Sequence, residues 1–417
     1  MDSDDDLAPY QGSPLPSSRT TRRALLAGAA ALGVGGLASQ VGLGPIEARS
    51  PPGNAWPQRD YDPAGTAHNP AATAPSDPDV DWRRRVVDPP AAAGVDSVVG
   101  PEAVFVAGTE VVAVDRTDGR ELWRDGVPGG PLALGDGRLF VGSWGLGRLR
   151  ALSTDGEETW EESSPIQGMD ALVYAGDRLY VATDSGLYTH DAGDGAPLWA
   201  SERDAGGGVV VAAGRLHAAA LELTSFATRS LLDTALGSPP AAAWESQVTP
   251  SGLVGTPQGL VTGVGQRDRD EVGGASLVAR APDTGEVRWR GRADIGGEFS
   301  VGPLAATGDR CLAALEAGAG TRNAVSSYRL EDGERDWRYR LDHRVTDIAA
   351  VDGAVILGTE PGGEGSSDAG SVRALDAGDG EELWRAALWP GEGCAGVAPV
   401  DGAVFAWTES GEVAALR

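Results

Sequence analysis

Residues 112–123 read VAVDRTDGRELW, and residues 372–384 read VRALDAGDGEELW. Four more stretches share the pattern: LRALSTDGEETW (149–160), LYTHDAGDGAPLW (187–199), LVARAPDTGEVRW (277–289) and VSSYRLEDGERDW (325–337). In all six a glycine stands four residues before the tryptophan. The pairs are Gly119 and Trp123, Gly156 and Trp160, Gly195 and Trp199, Gly285 and Trp289, Gly333 and Trp337, Gly380 and Trp384. Trp82 and Trp244 fall on the same period without the glycine. Successive members of this set lie 37 to 48 residues apart, and the set takes eight of the chain's 12 tryptophans. A period of this size is a whole supersecondary unit, so the repeat organises the chain.

Around each tryptophan the unit has the same grammar. A short apolar run, a Gly/Asp turn and a second run come first, as in Pro131–Leu134, Gly135-Asp136-Gly137 and Leu139–Val141. A third run ends in another Asp/Gly turn, and a fourth carries the tryptophan. Runs of this length between Gly/Asp clusters read as strands, and glycine supplies the positive φ of tight hairpins. Four strands per unit predict an all-β fold: a β-propeller of four-stranded antiparallel blades. The tryptophan on the outermost strand is expected to fill the wedge that opens between neighbouring blades. Burying an indole at about 25 cal/mol/Å² stabilises by about 4–6 kcal/mol as an upper estimate. Trp82, Trp123, Trp160, Trp199, Trp244, Trp289, Trp337 and Trp384 are therefore the expected blade-packing residues.

The ends of the chain count the blades. The last run, Glu412–Arg417, matches a third strand and the chain stops there, while Trp82 lies on a fourth strand with no unit before it. The N-terminal strand is thus expected to complete the last blade, closing a ring of eight and leaving no open edge. This divides the chain into an export segment (1–48), an opening segment that carries the closing strand (49–97), and the propeller (98–417).

The N-terminal segment is polar up to Arg22-Arg23, then uncharged from Ala24 to Gly44. A basic pair before a weakly apolar stretch is the layout of a signal peptide, and Arg22-Arg23 followed by Leu25-Leu26 resembles the twin-arginine signal. The protein is expected outside the cytoplasm, secreted or anchored through residues 24–44.

Charge narrows the partners. The 34 basic residues, all arginine, face 61 acidic ones, for a net charge of −27. Such a surface repels nucleic acid and anionic membranes. The acidic, lysine-free composition resembles that of haloarchaeal proteins. Two cysteines, Cys311 and Cys394, rule out a disulfide framework and a multi-cysteine metal site. They are expected on different blades, unbridged. No P-loop, G-x-S-x-G elbow or H-E-x-x-H pattern is present.

The repeat resembles the pyrroloquinoline-quinone-like propeller repeat AxDxxTGxxxW. Ala113-Asp115-Thr117-Gly119-Trp123 and Ala374-Asp376-Gly380-Trp384 carry the likeness, and WPQRDYDPAGTAHNP (56–70) looks like the family's opening. The resemblance implies an eight-bladed propeller. The family includes quinoprotein alcohol dehydrogenases and the non-enzymatic lipoprotein of the bacterial barrel-assembly machine. The enzymes' features include a vicinal Cys-Cys disulfide, calcium and a catalytic Asp; Cys311 and Cys394 are too far apart in sequence to form that pair.

The reading is an exported, non-enzymatic propeller for protein or ligand binding at the cell surface, monomeric, without metal, catalytic residue or cofactor. One alternative is a divergent quinoprotein oxidoreductase, with pyrroloquinoline quinone and calcium. Another is an extracellular ligand-sensing module. Inserted loops at Gly265–Gly274, Glu316–Arg322 and Glu360–Gly370 lie in consecutive blades and are expected to rim one face of the channel. The link Asp233–Pro240 is expected on the opposite face.

Overall fold

The structure, a computed structural model, describes residues 45–417 apart from 48, 90–93, 144, 164–167, 228–238, 248, 266–267, 269–273, 275, 296–298, 319–321 and 362–368. The signal pair Arg22-Arg23 lies outside the described residues, as do 266–267, 269–273, 319–321 and 362–368 of the inserted loops and 233–238 of the link on the other face. Among the described residues no helix is long and apolar enough to cross a membrane.

Eight sheets are arranged as the repeat requires. Blades one to seven span 96–125, 132–163, 169–201, 209–246, 250–291, 299–341 and 345–390. In each, four antiparallel strands, A to D, follow in chain order. Blade eight takes strands A to C from 396–416 and its D strand from Val80–Arg85, paired antiparallel with Glu412–Leu416. The A strands touch one another in succession, and blade eight's touches blade one's, so the ring is closed. The N-terminal strand removes the edge that Val413–Leu416 would otherwise expose.

The blades join through tryptophan and glycine, but not within one repeat. Each repeat's glycine lies under the tryptophan of the blade before it: Gly119 under Trp82, Gly156 under Trp123, Gly195 under Trp160, Gly285 under Trp244, Gly333 under Trp289, Gly380 under Trp337. These glycines have φ between 68° and 91°, and a Cβ at Gly119 would stand 2.6 Å from the Trp82 ring. The indole N–H then donates to a carbonyl in that same turn, as from Trp82 to Arg116 (3.2 Å) and from Trp289 to Leu330 (2.6 Å). Trp199 packs instead on Phe226 of blade four, ring centroids 6.3 Å apart. Blade eight has no C–D turn of its own, because its two outer strands come from opposite ends of the chain. Trp384 therefore donates to Pro75 O (2.7 Å), in the segment leading into the closing strand.

Cys311 lies on the B strand of blade six and Cys394 just before blade eight; both are buried and free. Blade seven stands between them.

One element was not foreseen. Strand His68–Thr73 pairs in parallel with the A strand of blade seven, making that sheet five-stranded. It ends a longer feature that shapes the channel.

Candidate functional site

Residues 56–69 run round the inside of the ring and meet all eight blades in order. Val99 N donates to Trp56 O (2.9 Å), Leu134 N to Pro57 O (2.6 Å), Val211 N to Pro63 O (2.6 Å) and Gly255 N to Ala64 O (2.7 Å). Ala306 N donates to Thr66 O (2.8 Å) and Ala350 N to Ala67 O (2.7 Å). Blade three is reached by a side chain, Tyr174 N donating to Gln58 Oε1 (3.1 Å). Blade eight offers Pro399 at this point, which has no N–H, and there the polarity reverses: Asn69 Nδ2 donates to Pro399 O (3.3 Å). An inner strand facing a channel leaves donors without partners. Here the opening segment satisfies one on each of seven blades.

The same segment plugs the channel. Trp56 and Tyr61, 1% and 3% exposed, pack together with ring centroids 5.1 Å apart. Asp62 braces the loop, accepting from Ala64 N (3.1 Å), Thr66 N (3.0 Å) and Thr66 Oγ1 (2.9 Å). Tyr61 and Ala67 are held at φ 71° and 48°. A left-handed conformation costs a non-glycine residue about 1–3 kcal/mol and persists only where the surroundings fix it. The eight-blade bonding supplies that constraint.

All these bonds fall near the C-terminal ends of the A strands, so the plug closes one end of the channel. The other end remains a well. Its floor is Arg59 and Asp60 of the plug; its wall carries Asp96, Asp170 and Asp347, near the starts of the A strands of blades one, three and seven. Two adjoining cavities of about 260 and 390 Å³ share Arg59, Asp96 and Asp170. Arg59 and Asp60 are enclosed by protein, yet water reaches them.

Two of the wall carboxylates also tie blades together. Asp96 accepts from Ser97 N and from Leu132 N of blade two (2.8 Å). Asp347 accepts from Ile348 N and from Val397 N of blade eight (2.9 Å). Burial raises the carboxyls of Asp60, Asp96 and Asp170, and pushes Asp347 up to about 7. Burial opposes the charge of Arg59, but Asp96, Asp60, Asp347 and Asp170 outweigh it and hold the guanidinium above its ordinary value.

The B–C loops emerge at the starts of the A strands, because the B strands run antiparallel to them; Phe299 pairs with Ala317 and Val345 with Thr359. The described strand ends that flank the insertions of blades six and seven thus lie at the open mouth. The eight repeat tryptophans lie between blades, away from the well. Sequence reasoning quoted the segment 56–70 but assigned it no role, and it missed the wall residues altogether. The available signal was an aspartate opening the inner strand in three units.

The sequence profile of the outer membrane protein assembly factor BamB matches residues 107–238 and 273–417, well over half of the chain. The chain belongs to the BamB family. Among solved structures it is similar to BamB from Moraxella catarrhalis, at 14% identity and TM-score 0.56, covering 82% of this chain and 99% of that one. It is also similar to the quinohemoprotein alcohol dehydrogenase ADHIIG from Pseudomonas putida HK5, at 11% identity and TM-score 0.61, covering 87% and 80%. A computationally designed protein, Ika8, reaches TM-score 0.61 at 13% identity, covering 80% and 99%. At such identities these likenesses concern the fold alone. No curated protein is recognisably similar in sequence.

This BamB-family chain can be tested for fit to the quinone of its enzymatic neighbours. Pyrroloquinoline quinone is a tricarboxylate, and the well offers one arginine against four aspartates. No group of three His, Cys, Asp or Glu among the described residues is arranged to hold a metal ion such as calcium. The two cysteines lie apart, buried on either side of blade seven. The residues present do not fit the group, and no catalytic step is derived through it.

Proposed function

We propose that the protein is an exported binding module, non-enzymatic, that holds a partner or ligand at the open mouth of its plugged propeller. The observation that carries this reading is the one-ended well. Closing the channel at one end leaves a single approach, and convergent charged groups lie at its base. The blades with inserted loops border the same mouth. The acidic well speaks against a tricarboxylate cofactor and hence against the oxidoreductase alternative. Family membership supports a role in protein interaction, as the name of the assembly factor suggests for that protein. The Arg22-Arg23 signal and the acidic composition support a salt-adapted protein acting outside the cytoplasm as a monomer.

Incubation with pyrroloquinoline quinone and calcium, followed by dialysis and absorbance spectroscopy, tests the reading. The quinone is expected to wash out. Retention of one quinone per chain, with alcohol-dependent reduction of its spectrum, would overturn the non-enzymatic reading in favour of a quinoprotein.

A further inference from the structure

Arg59 is the feature of the well that the fold itself leaves unused. Its backbone carbonyl accepts from Trp56 Nε1 (3.1 Å), which fixes the residue in the plug. Its guanidinium makes no hydrogen bond or ion pair with any described residue, although it lines both cavities of the well and the carboxylates of Asp96, Asp60, Asp347 and Asp170 act on it at longer range. An arginine presents five donors in a planar fork that matches a carboxylate. The wall carries acceptors to match. Asp170 lines both cavities, and its Oδ2 has no hydrogen-bond partner among the described residues. Gly206 packs closely beside it: a Cβ there would meet the carboxylates of Asp184 and Asp170.

These groups restrict what can occupy the well. A simple anion would face four aspartates with one arginine to hold it. A simple ammonium ion would leave the guanidinium fork without a partner. A neutral molecule would offer no opposite charge to the guanidinium or to the carboxyls that ionise beside it. The larger cavity, about 390 Å³, is at the lower end of the roughly 300–1,000 Å³ typical of small-molecule sites.

We propose that the well binds a small zwitterion with surplus positive charge, of the basic amino acid type, its carboxylate on Arg59 and its ammonium groups among Asp96, Asp170 and Asp347. The inference rests on the reading of the well as a binding site and adds the class of ligand. Because burial raises the wall carboxyls, an entering ammonium favours their ionised forms. Binding therefore releases protons.

Titration calorimetry of the protein in high-salt buffer tests this with three probes: L-arginine, agmatine (arginine without its carboxylate) and L-glutamate. Enclosed pairs are screened less than surface ones, so the salt needed by the fold does not abolish the signal. L-Arginine is expected to bind at one site per chain, agmatine about tenfold more weakly, and L-glutamate not at all. Buffers of different ionisation enthalpy should report proton release with L-arginine. Arg59→Gln should remove the advantage of L-arginine over agmatine, and Arg59→Lys should retain it. Melting curves check that both variants fold. If Arg59→Gln does not fold, Asp347→Ser provides the second test, by weakening both cationic probes while keeping their order. No heat with L-arginine, equal affinity for L-arginine and agmatine, or tighter binding of L-glutamate would overturn the proposal. Those results leave the quinone test untouched, whereas quinone retention would overturn the reading on which the proposal rests.

Discussion

Two buried ionisable residues respond to pH in opposite directions. His217, fully buried on the B strand of blade four, has its Nε2 3.3 Å from Ala212 O and its ring beside Trp244. Burial, the largest influence, lowers it to about 4. A histidine depressed in the folded state contributes stability that is present above its unfolded value of about 6.5 and lost as pH falls towards the folded one. Asp347 is raised to about 7. Its contribution is present below the unfolded value of about 4 and lost as pH rises through 7. The two slopes oppose each other between pH 4 and 7, so a flat wild-type profile would conceal both. Thermal melts of wild type and His217→Gln at pH 7 and 4.5 separate them. The wild type should lose more on acidification than the variant; parallel losses would contradict a neutral, buried His217.

At the scale of the blade, the joint between repeats is the unit of stability. Gly119 and Gly137 both have positive φ, 68° and 72°, but a Cβ at Gly119 meets the Trp82 ring whereas one at Gly137 meets nothing within 4 Å. Gly137→Ala should cost about 1 kcal/mol, from the backbone conformation alone. Gly119→Ala adds overpacking of about 1–3 kcal/mol. Denaturant titration of the two variants checks the difference; equal losses would mean the indole is not seated on that glycine. The repeat itself was legible because tryptophan, glycine and turn recur at fixed offsets within a unit. The partner of each glycine was not, since the contact crosses to the preceding blade and spacing within one repeat is silent on it. Trp199 and Trp384 show the consequence: the same position finds a phenylalanine in one case and Pro75 of the opening segment in the other.

At the scale of the molecule, the acidic surface and the opening segment dominate. A net charge of −27 repels itself across a compact ring. The Debye length falls to about 3 Å at 1 M salt, so the melting temperature should rise from low to molar salt; a constant value would contradict salt adaptation. Eight blades and their closure could be read from two facts, a third strand at the C-terminus and a stray tryptophan strand at Trp82. The plug could not, because it binds six of the eight blades through backbone carbonyls, which leave no side-chain pattern in the sequence. The well followed it out of view: Asp96, Asp170 and Asp347 are far apart along the chain and converge only once the ring is built.

One segment both closes the ring and seals the channel by bonding to the inner strands of all eight blades. Amide-resolved hydrogen exchange tests it most directly, at the seven inner-strand amides of Val99, Leu134, Tyr174, Val211, Gly255, Ala306 and Ala350. They should exchange as slowly as amides in the middle of the blades. Exchange at the rate of solvent-exposed amides, with the blades themselves still protected, would contradict the account.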